Sequence, residues 1–191
     1  AGLLALASLF SERPPAKRVL LVAYCLEEPP HFGTRYMGSA VHAASVSRGG
    51  RDVIGMLSPE MIGFFSDAPG SQTYPIGLLE KIYPPTGDFI GVVGRFQDIP
   101  LTRTVKAAMA GATDLPVWSM SALPLVQGID FSDHRNYWRF GYQAVMITDT
   151  AYFRNPAYHT LRDTADSLDY VRMSKVVQGV YRAICALAGS Q

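Results

Sequence analysis

Residues 18–28 have the sequence RVLLVAYCLEE, an apolar run rich in valine and leucine that ends in two adjacent carboxylates. A short apolar run without polar alternation is typical of a strand that is buried on both faces of a sheet. In α/β proteins the carboxyl ends of such strands border the binding crevice. The segment therefore predicts a central strand over residues 18–26 and places Glu27 and Glu28 at the edge of a candidate site.

Apolar segments with helical and strand periodicity alternate along the rest of the chain. The pattern predicts helices over residues 2–12, 34–48, 100–111, 132–140 and 170–188, and further strands over residues 52–57, 89–93, 117–120 and 144–148. This alternation favours an α/β sandwich with a sheet between helices. Residues 66–87 are rich in Gly, Pro and Ser and predict a long loop, which in a compact domain is more often functional than idle.

Composition limits the classes of protein to which the chain can belong. It has 191 residues, of which 48% are hydrophobic and 17% charged, so a single domain over residues 1–191 can bury a core. The net charge is +1 and the basic residues are scattered, which predicts no nucleic-acid partner. No apolar run reaches the roughly 18 residues of a membrane span. Cys25 and Cys185 are predicted to be buried thiols.

Two further residues with reactive side chains occupy places comparable to the Glu27-Glu28 pair. Glu60 follows the strand predicted over residues 52–57, and His159 lies in the loop before the last helix. Carboxylates and an imidazole from the ends of different strands form a ligand set that zinc accepts. An exposed position is the alternative for each residue, and for a lone histidine in a loop it is the commoner one, so both interpretations stay open at this point.

The remaining candidates are weaker. Asp133 begins the helix predicted over residues 132–140, where it could cap the helix, support a metal ligand or contact a substrate. Capping is the commonest of these roles for an aspartate at a helix start. His31 and His42 are predicted to be structural.

Four segments, taken in order, resemble those of the co-catalytic zinc aminopeptidases and their glutaminyl cyclase relatives. Residues 18–28 resemble the strand and Glu-Glu pair of that family, and residues 59–64 (PEMIGF) resemble a metal-ligand segment. Residues 132–134 (SDH) are similar to its segment before the last long loop, and residues 155–164 (NPAYHTLRDT) resemble its closing histidine motif. The resemblance covers nearly the whole chain. It implies an α/β fold, a three-layer α/β/α sandwich with a mixed central sheet.

The resemblance also implies a role for each matching residue. Glu27 corresponds to the general base that activates a metal-bound water. Glu28 and Glu60 correspond to ligands of two different zinc ions, and His159 to the last ligand, on the same zinc as Glu28. Asp163 corresponds to a residue that orients a neighbouring group, although capping the following turn is the commoner role for Asp there. One or two Zn ions and a peptide substrate are therefore expected for the intact protein.

Two features depart from the family pattern. The family's first histidine ligand and the aspartate that bridges its two metals are expected upstream of Ala1, so the chain is expected to be the C-terminal portion of the catalytic domain. We accordingly expect the 191-residue chain to bind zinc weakly and to lack peptidase activity. Glu60 stands where many family members have Asp, a difference that keeps the carboxylate and lengthens its reach.

The expected activity of the intact protein is hydrolysis of the N-terminal peptide bond of a peptide. One alternative is an aminoacyltransferase like glutaminyl cyclase, which would convert N-terminal glutamine to pyroglutamate. Another is an inactive zinc-peptidase-fold binding domain, against which the retention of both Glu27 and Glu28 argues. Many relatives in the family are exported, so the resemblance makes an exported or periplasmic location plausible.

Overall fold

The structure is a computed structural model in which residues 1–189 are described. Five α-helices are formed by Gly2–Glu12 (α1), Gly38–Arg48 (α2), Ile99–Ala110 (α3), His134–Trp138 (α4) and Tyr170–Ala188 (α5). Four strands are formed by Met56–Pro59 (β1), Ile90–Arg95 (β2), Val117–Ala122 (β3) and Ala144–Thr148 (β4). Short 3-10 helices are formed by Leu79–Lys81, Phe96–Asp98, Ala151–Phe153 and Ala165–Ser167.

The four strands form one mixed sheet in the order β1-β4-β2-β3. β1 runs parallel to β4 and β2 runs parallel to β3, whereas β2 and β4 are antiparallel. Helices cover both faces of this sheet, so the predicted α/β fold with a mixed central sheet is confirmed.

The sheet separates two hydrophobic cores. Successive side chains of a strand point to opposite faces, and β4 divides its residues accordingly. Val145 and Ile147 pack in the core formed with α1, α3 and α5, whereas Ala144 and Met146 pack in the core formed with α2 and α4. Every residue of β4 is buried, because helices cover both of its faces and strands flank both of its edges.

The strand predicted over residues 18–26 is wrong. None of the backbone groups of residues 18–24 hydrogen-bonds to another backbone group within the described part of the chain. Each residue of this segment remains exposed or half-buried, including Cys25, whose predicted burial is also wrong. An apolar run becomes a strand only where a neighbouring backbone offers hydrogen-bonding partners. Residues 18–24 do not hydrogen-bond to β1 or to any other described strand.

Other element boundaries shift for local reasons. The helix predicted from residue 34 begins at Gly38, whose N–H donates to the Cys25 carbonyl over 2.9 Å. The strand predicted over residues 52–57 begins only at Met56, where the first hydrogen bond to the β4 side forms. Cys185 is half-buried rather than buried.

The helix predicted over residues 132–140 is only five residues long. Asp133 stands at its N-cap position, but its side chain accepts no capping hydrogen bond, so capping is the wrong role for it. By contrast, Asp169 caps α5, accepting a hydrogen bond from the Arg172 N–H over 2.9 Å. Among the described helices, we find none that combines the length and the apolar character needed to cross a membrane.

Candidate active site

Most of the residues singled out from the sequence line one cavity of about 570 Å³. It lies where β1 and β4 end and is closed by the loops that follow them. The candidate residues on its wall are Glu27, Glu28, Glu60, His159 and Asp163. Asp133 does not line this cavity; it faces a second cleft on the other side of β1.

The backbone is strained at three of the points that carry these side chains. Leu26, directly before the Glu27-Glu28 pair, has φ of 58°, and Met61, directly after Glu60, has φ of 46°. His159 itself has φ of 57°. Residues with a Cβ seldom adopt this left-handed region, and such positions cluster at functional sites. The sequence offered no sign of this strain, because none of the three is Gly or Asn.

Glu28 and His159 are two candidate metal ligands that lie close together. His159 Nε2 lies 3.5 Å from Glu28 Oε1, and the side chains are 52% and 68% exposed. Two ligand atoms bound tetrahedrally to one zinc at 2.0–2.2 Å are separated by about 3.4 Å. The pair therefore has the spacing of two ligands of a single ion. The ring of Tyr158 stacks on His159 with centroids 3.9 Å apart and planes 14° apart, which fixes the imidazole orientation.

Glu60 is positioned by a serine that sequence reasoning did not select. Its backbone N–H donates to the Ile147 carbonyl over 2.9 Å, so the residue continues the β1–β4 pairing. The buried Ser132 hydroxyl donates to Glu60 Oε2 over 3.0 Å and is itself 3.0 Å from Ser58 Oγ. The available sequence signal was the place of Ser132 immediately before Asp133, in the SDH segment.

The site concentrates negative charge. Burial raises the pKa of Glu27 to about 7, with further increases from Glu60, Asp133 and Glu28, while Arg135 opposes them. Burial also raises the pKa of Glu60, against the effect of the Ser132 hydrogen bond. Carboxylates gathered in this way favour binding of a cation, because each one raises the cost of ionising the others.

The other two candidates are connected to the site differently. Asp163 accepts a hydrogen bond from the buried Asn155 Nδ2 over 3.1 Å, which ties it to the loop that carries His159. Burial raises the pKa of Asp133, while a hydrogen bond from Ser39 opposes this. Asp133 therefore influences the site through its charge rather than by lining the cavity.

The donor set fits part of a zinc site. Within residues 1–189 no group of three or more His, Cys, Asp and Glu side chains is close enough together to hold a metal ion. A structural zinc takes four protein ligands, and a catalytic zinc takes three and a water. Glu28 and His159 supply two ligands with suitable spacing, and Glu27, Glu60 and Asp163 are further carboxylates on the wall of the same cavity.

Aromatic side chains form much of the cavity's remaining wall. Tyr83 lies 5.7 Å from Trp118 in a T-shaped arrangement and 5.8 Å from Tyr74, measured between ring centroids. The Tyr83 hydroxyl donates to the Ser119 carbonyl over 2.9 Å, which attaches the loop predicted over residues 66–87 to β3. The loop is thus part of the cavity wall, and an apolar wall with a charged mouth suits a ligand with one polar and one apolar end.

A buried polar cluster holds the other end of that loop. The Arg154 Nε donates to Gln72 Oε1 over 2.8 Å, and the Gln72 Nε2 donates to Thr150 Oγ1 over 2.9 Å. Arg154 also stacks on Phe89 at 4.6 Å and donates to its carbonyl. These contacts connect the loop to β2 and to the segment after β4, and so hold the two sides of the cavity together.

The chain is similar in sequence to two groups of proteins. It is 53% identical over 180 residues to the uncharacterized protein YfbL of Escherichia coli strain K12, covering 94% of this chain and 55% of that protein. It is 28% identical over 138 residues to leucine aminopeptidase 1 of Uncinocarpus reesii, covering 72% of this chain and 30% of that protein. No known family profile matches the sequence. The chain spans about half or less of the length of these relatives.

Solved structures with the same fold include two aminopeptidases. The aminopeptidase from Aneurinibacillus sp. strain AM-1 has a TM-score of 0.69 at 21% identity, covering 100% of this chain and 38% of that one. BSAP, a zinc aminopeptidase from Bacillus subtilis, has a TM-score of 0.67 at 15% identity, covering 98% of this chain and 42% of that one. The chain therefore has part of the fold of these aminopeptidases.

Proposed function

We propose that this chain carries the C-terminal part of the catalytic domain of a zinc-dependent aminopeptidase. The observation that carries the proposal is the placement of Glu27, Glu28, Glu60 and His159 on one cavity wall, with the Glu28–His159 pair at zinc-ligand spacing. The fold shared with aminopeptidases and the distant leucine aminopeptidase relatives support the same activity class.

Each residue has a distinct task in this proposal. Glu28 and His159 would hold one zinc, and Glu60, oriented by Ser132, would hold the other. Zinc, when bound, polarises the scissile carbonyl and lowers the pKa of water. Glu27 accepts the proton of the attacking water and returns it to the amine that leaves. The aromatic part of the cavity accommodates an apolar side chain of the bound peptide.

The test uses the full-length protein that contains this chain, loaded with zinc and incubated with peptides that have a free N-terminus. Release of the first amino acid, followed by mass spectrometry, supports the aminopeptidase. A peptide that begins with glutamine separates the two chemistries, since a cyclase would give pyroglutamate without shortening the peptide. Zinc retained by a folded protein that releases no amino acid would contradict the proposal.

The 191-residue chain provides an internal comparison. With two closely spaced ligands in the described residues, we propose that it retains much less than one zinc through dialysis. Losing groups that merely support ligands already weakens metal binding about 10- to 100-fold, and missing ligands weaken it further. Metal content measured by atomic emission decides this, and stoichiometric zinc in the dialysed chain would refute it. An exported or periplasmic location stays a prediction.

A further inference from the structure

A buried aspartate lies where the segment that carries Glu60 meets the segment that carries His159. This residue, Asp149, directly follows β4 and is only 1% exposed. Its neighbours Thr148 and Thr150 line the active-site cavity, whereas Asp149 does not. Any effect of this side chain on the position of groups in the cavity therefore passes through the backbone.

One oxygen of the carboxylate holds the turn that follows Glu60. Oδ2 accepts hydrogen bonds from the Gly63 N–H over 3.0 Å and from the Phe64 N–H over 2.8 Å. The backbone N–H of Asp149 donates to the Met61 carbonyl over 2.7 Å. Because Met61 has φ of 46°, these three hydrogen bonds surround a conformation that a residue with a Cβ seldom adopts.

The other oxygen of the same carboxylate holds the turn that leads to His159. Oδ1 accepts a hydrogen bond from the Ala151 N–H over 3.0 Å. Thr150 and Ala151 have φ of 78° and 49°, again in the left-handed region. The Ala151 carbonyl then accepts from the Arg154 N–H over 2.9 Å and from the Asn155 N–H over 2.8 Å. The turn is therefore continuous with the segment that ends at His159.

Hydrogen bonds made by Asn155 hold the rest of that segment. Asn155 is buried, and its Oδ1 accepts from the Ala157 N–H over 2.9 Å. Its carbonyl accepts from the Tyr158 N–H over 3.2 Å. The path from Ala151 to His159 is short and internally bonded, so a displacement at Ala151 is transmitted to His159.

Only a carboxylate can hold both turns at once. An ionised carboxylate accepts through two oxygens, whereas an asparagine amide has one accepting oxygen and donates from its nitrogen. Burial raises the pKa of Asp149 to about 6, while hydrogen bonds from Phe64, Ala151 and Gly63 and the charge of Arg154 oppose this. At neutral pH the group is therefore ionised, and both of its oxygens can accept.

We propose that Asp149 is a positioning residue that fixes the place of Glu60 relative to His159. The inference rests on the proposed function, in which these two residues bind different zinc ions. The two turns that Asp149 joins therefore determine how far apart the two ions lie. Asp149 touches neither ion and acts by holding the backbone on both sides.

Binding of Co²⁺ tests the proposal without relying on peptidase activity. Co²⁺ binds the same nitrogen and oxygen ligands as zinc, and its visible absorption depends on the geometry of those ligands. The full-length protein that contains this chain and its Asp149→Asn variant are freed of metal and titrated with Co²⁺. The variant should remain folded in thermal denaturation, bind Co²⁺ about 10-fold or more weakly, and have shifted absorption bands.

Asp98→Asn is the matched control, at the other end of β4. Asp98 is also fully buried and accepts from the Arg95 N–H over 3.0 Å and the Ala144 N–H over 3.3 Å. It does not line the active-site cavity. This variant should lose stability but keep the Co²⁺ affinity and the absorption bands of the unsubstituted protein.

Three results would overturn the proposal. The first is an Asp149→Asn variant with unchanged Co²⁺ affinity and bands. The second is weaker binding with unchanged bands, which would mean that Asp149 acts only through its charge. The third is the same shift of the bands in Asp98→Asn, which would mean that any loss of stability has this effect.

A second variant covers the case in which Asp149→Asn does not fold. Asp149→Glu keeps the charge but is one methylene longer, so it should also bind Co²⁺ weakly with shifted bands. If neither variant folds, Asp149 acts on folding alone and the proposal fails. An unsubstituted protein that binds neither Co²⁺ nor zinc would refute the proposed function itself, and this inference with it.

Discussion

Two segments of similarly apolar composition have opposite surroundings in this molecule. Ala144–Thr148 is buried at every residue, whereas residues 18–26 contain no buried residue. The first pairs with a strand on each side, and the second pairs with none in the described chain. We call the sheet around β4 the closed part and residues 18–26 together with the outer side of β1 the open edge.

The contrast separates the residues that stabilise the fold from the residues of the candidate site. The closed part and the helices that cover it contain most of the fully buried side chains and hence most of the hydrophobic stabilisation. The open edge is followed by Glu27 and Glu28, and β1 by Glu60, so three of the candidate site residues are attached to the less stabilised region. Substitutions in the closed part should change the free energy of unfolding, and substitutions of Glu27 and Glu28 should change the activity that we propose for the full-length protein.

The largest effect is a fall in kcat, which we expect for Glu27→Gln in the full-length protein. The amide has almost the same size but cannot accept a proton, so kcat should fall by about 10²- to 10⁴-fold. Zinc content and the free energy of unfolding should stay nearly unchanged, since the side chain is only half-buried and holds no metal in our assignment. Steady-state kinetics and metal analysis on the same preparation provide the measurement.

Glu28→Gln is the matched control for that substitution. The neutral amide is a poor zinc ligand, so this variant should lose metal as well as activity. Equal loss of metal in the two variants, or normal turnover of Glu27→Gln, would show that the adjacent residues are assigned to the wrong tasks.

The next largest effect is a loss of stability, which we compare between two isomeric side chains, one in each region. Ile147→Ala removes a fully buried side chain of the closed part and should lower the free energy of unfolding of the 191-residue chain by about 2–5 kcal/mol. Leu20→Ala at the open edge, where the side chain is 47% exposed, should lower it by less than about 1 kcal/mol. Urea denaturation curves measure both. Similar losses for the two variants would remove the distinction between the regions.

The pH dependence of stability reports on the closed part through His134. Burial lowers the pKa of this histidine from 6.5 to about 4 in the folded state. The unfolded chain therefore binds a proton that the folded chain does not, so stability is fully present above pH 6.5 and is lost as the pH falls towards 4. The loss from this group should be on the order of 3 kcal/mol.

His134→Phe isolates that contribution. The ring can keep its contact with Trp138, 4.5 Å away between centroids, but has no titrating group. Its free energy of unfolding should depend less steeply on pH between 6.5 and 4 than that of the unsubstituted chain. Parallel slopes for the two proteins would mean that His134 is not buried in its neutral form.

The smallest effect is a loss of stability when the N-terminal cap of α5 is removed. This helix packs against both regions. Asp169→Ala removes the acceptor of the Arg172 N–H and should lower the free energy of unfolding by about 1 kcal/mol. Asp169→Asn keeps an acceptor at the same place and should cost much less. If thermal denaturation gives the two variants the same stability, the hydrogen bond to Arg172 contributes nothing.

Sequence reasoning succeeded where local pattern and burial agree. The helices Gly2–Glu12 and Tyr170–Ala188 and the strand Ala144–Thr148 have the predicted bounds. Their apolar periodicity matches the surfaces that cover them, so the local preference and the tertiary environment favour the same structure. The wrong strand over residues 18–26 has an equally apolar pattern. Its failure therefore lies in the neighbouring backbone rather than in the composition.

What the sequence determined by itself was the alternation of elements and the set of candidate residues at strand ends. These follow from periodicity and residue type, which are properties of short segments. The tertiary structure alone decided that Glu28 and His159 lie 3.5 Å apart, that Ser132 positions Glu60, and that Asp133 does not cap its helix. Each of these depends on where distant segments meet, and no short segment of sequence specifies the segment that will lie beside it.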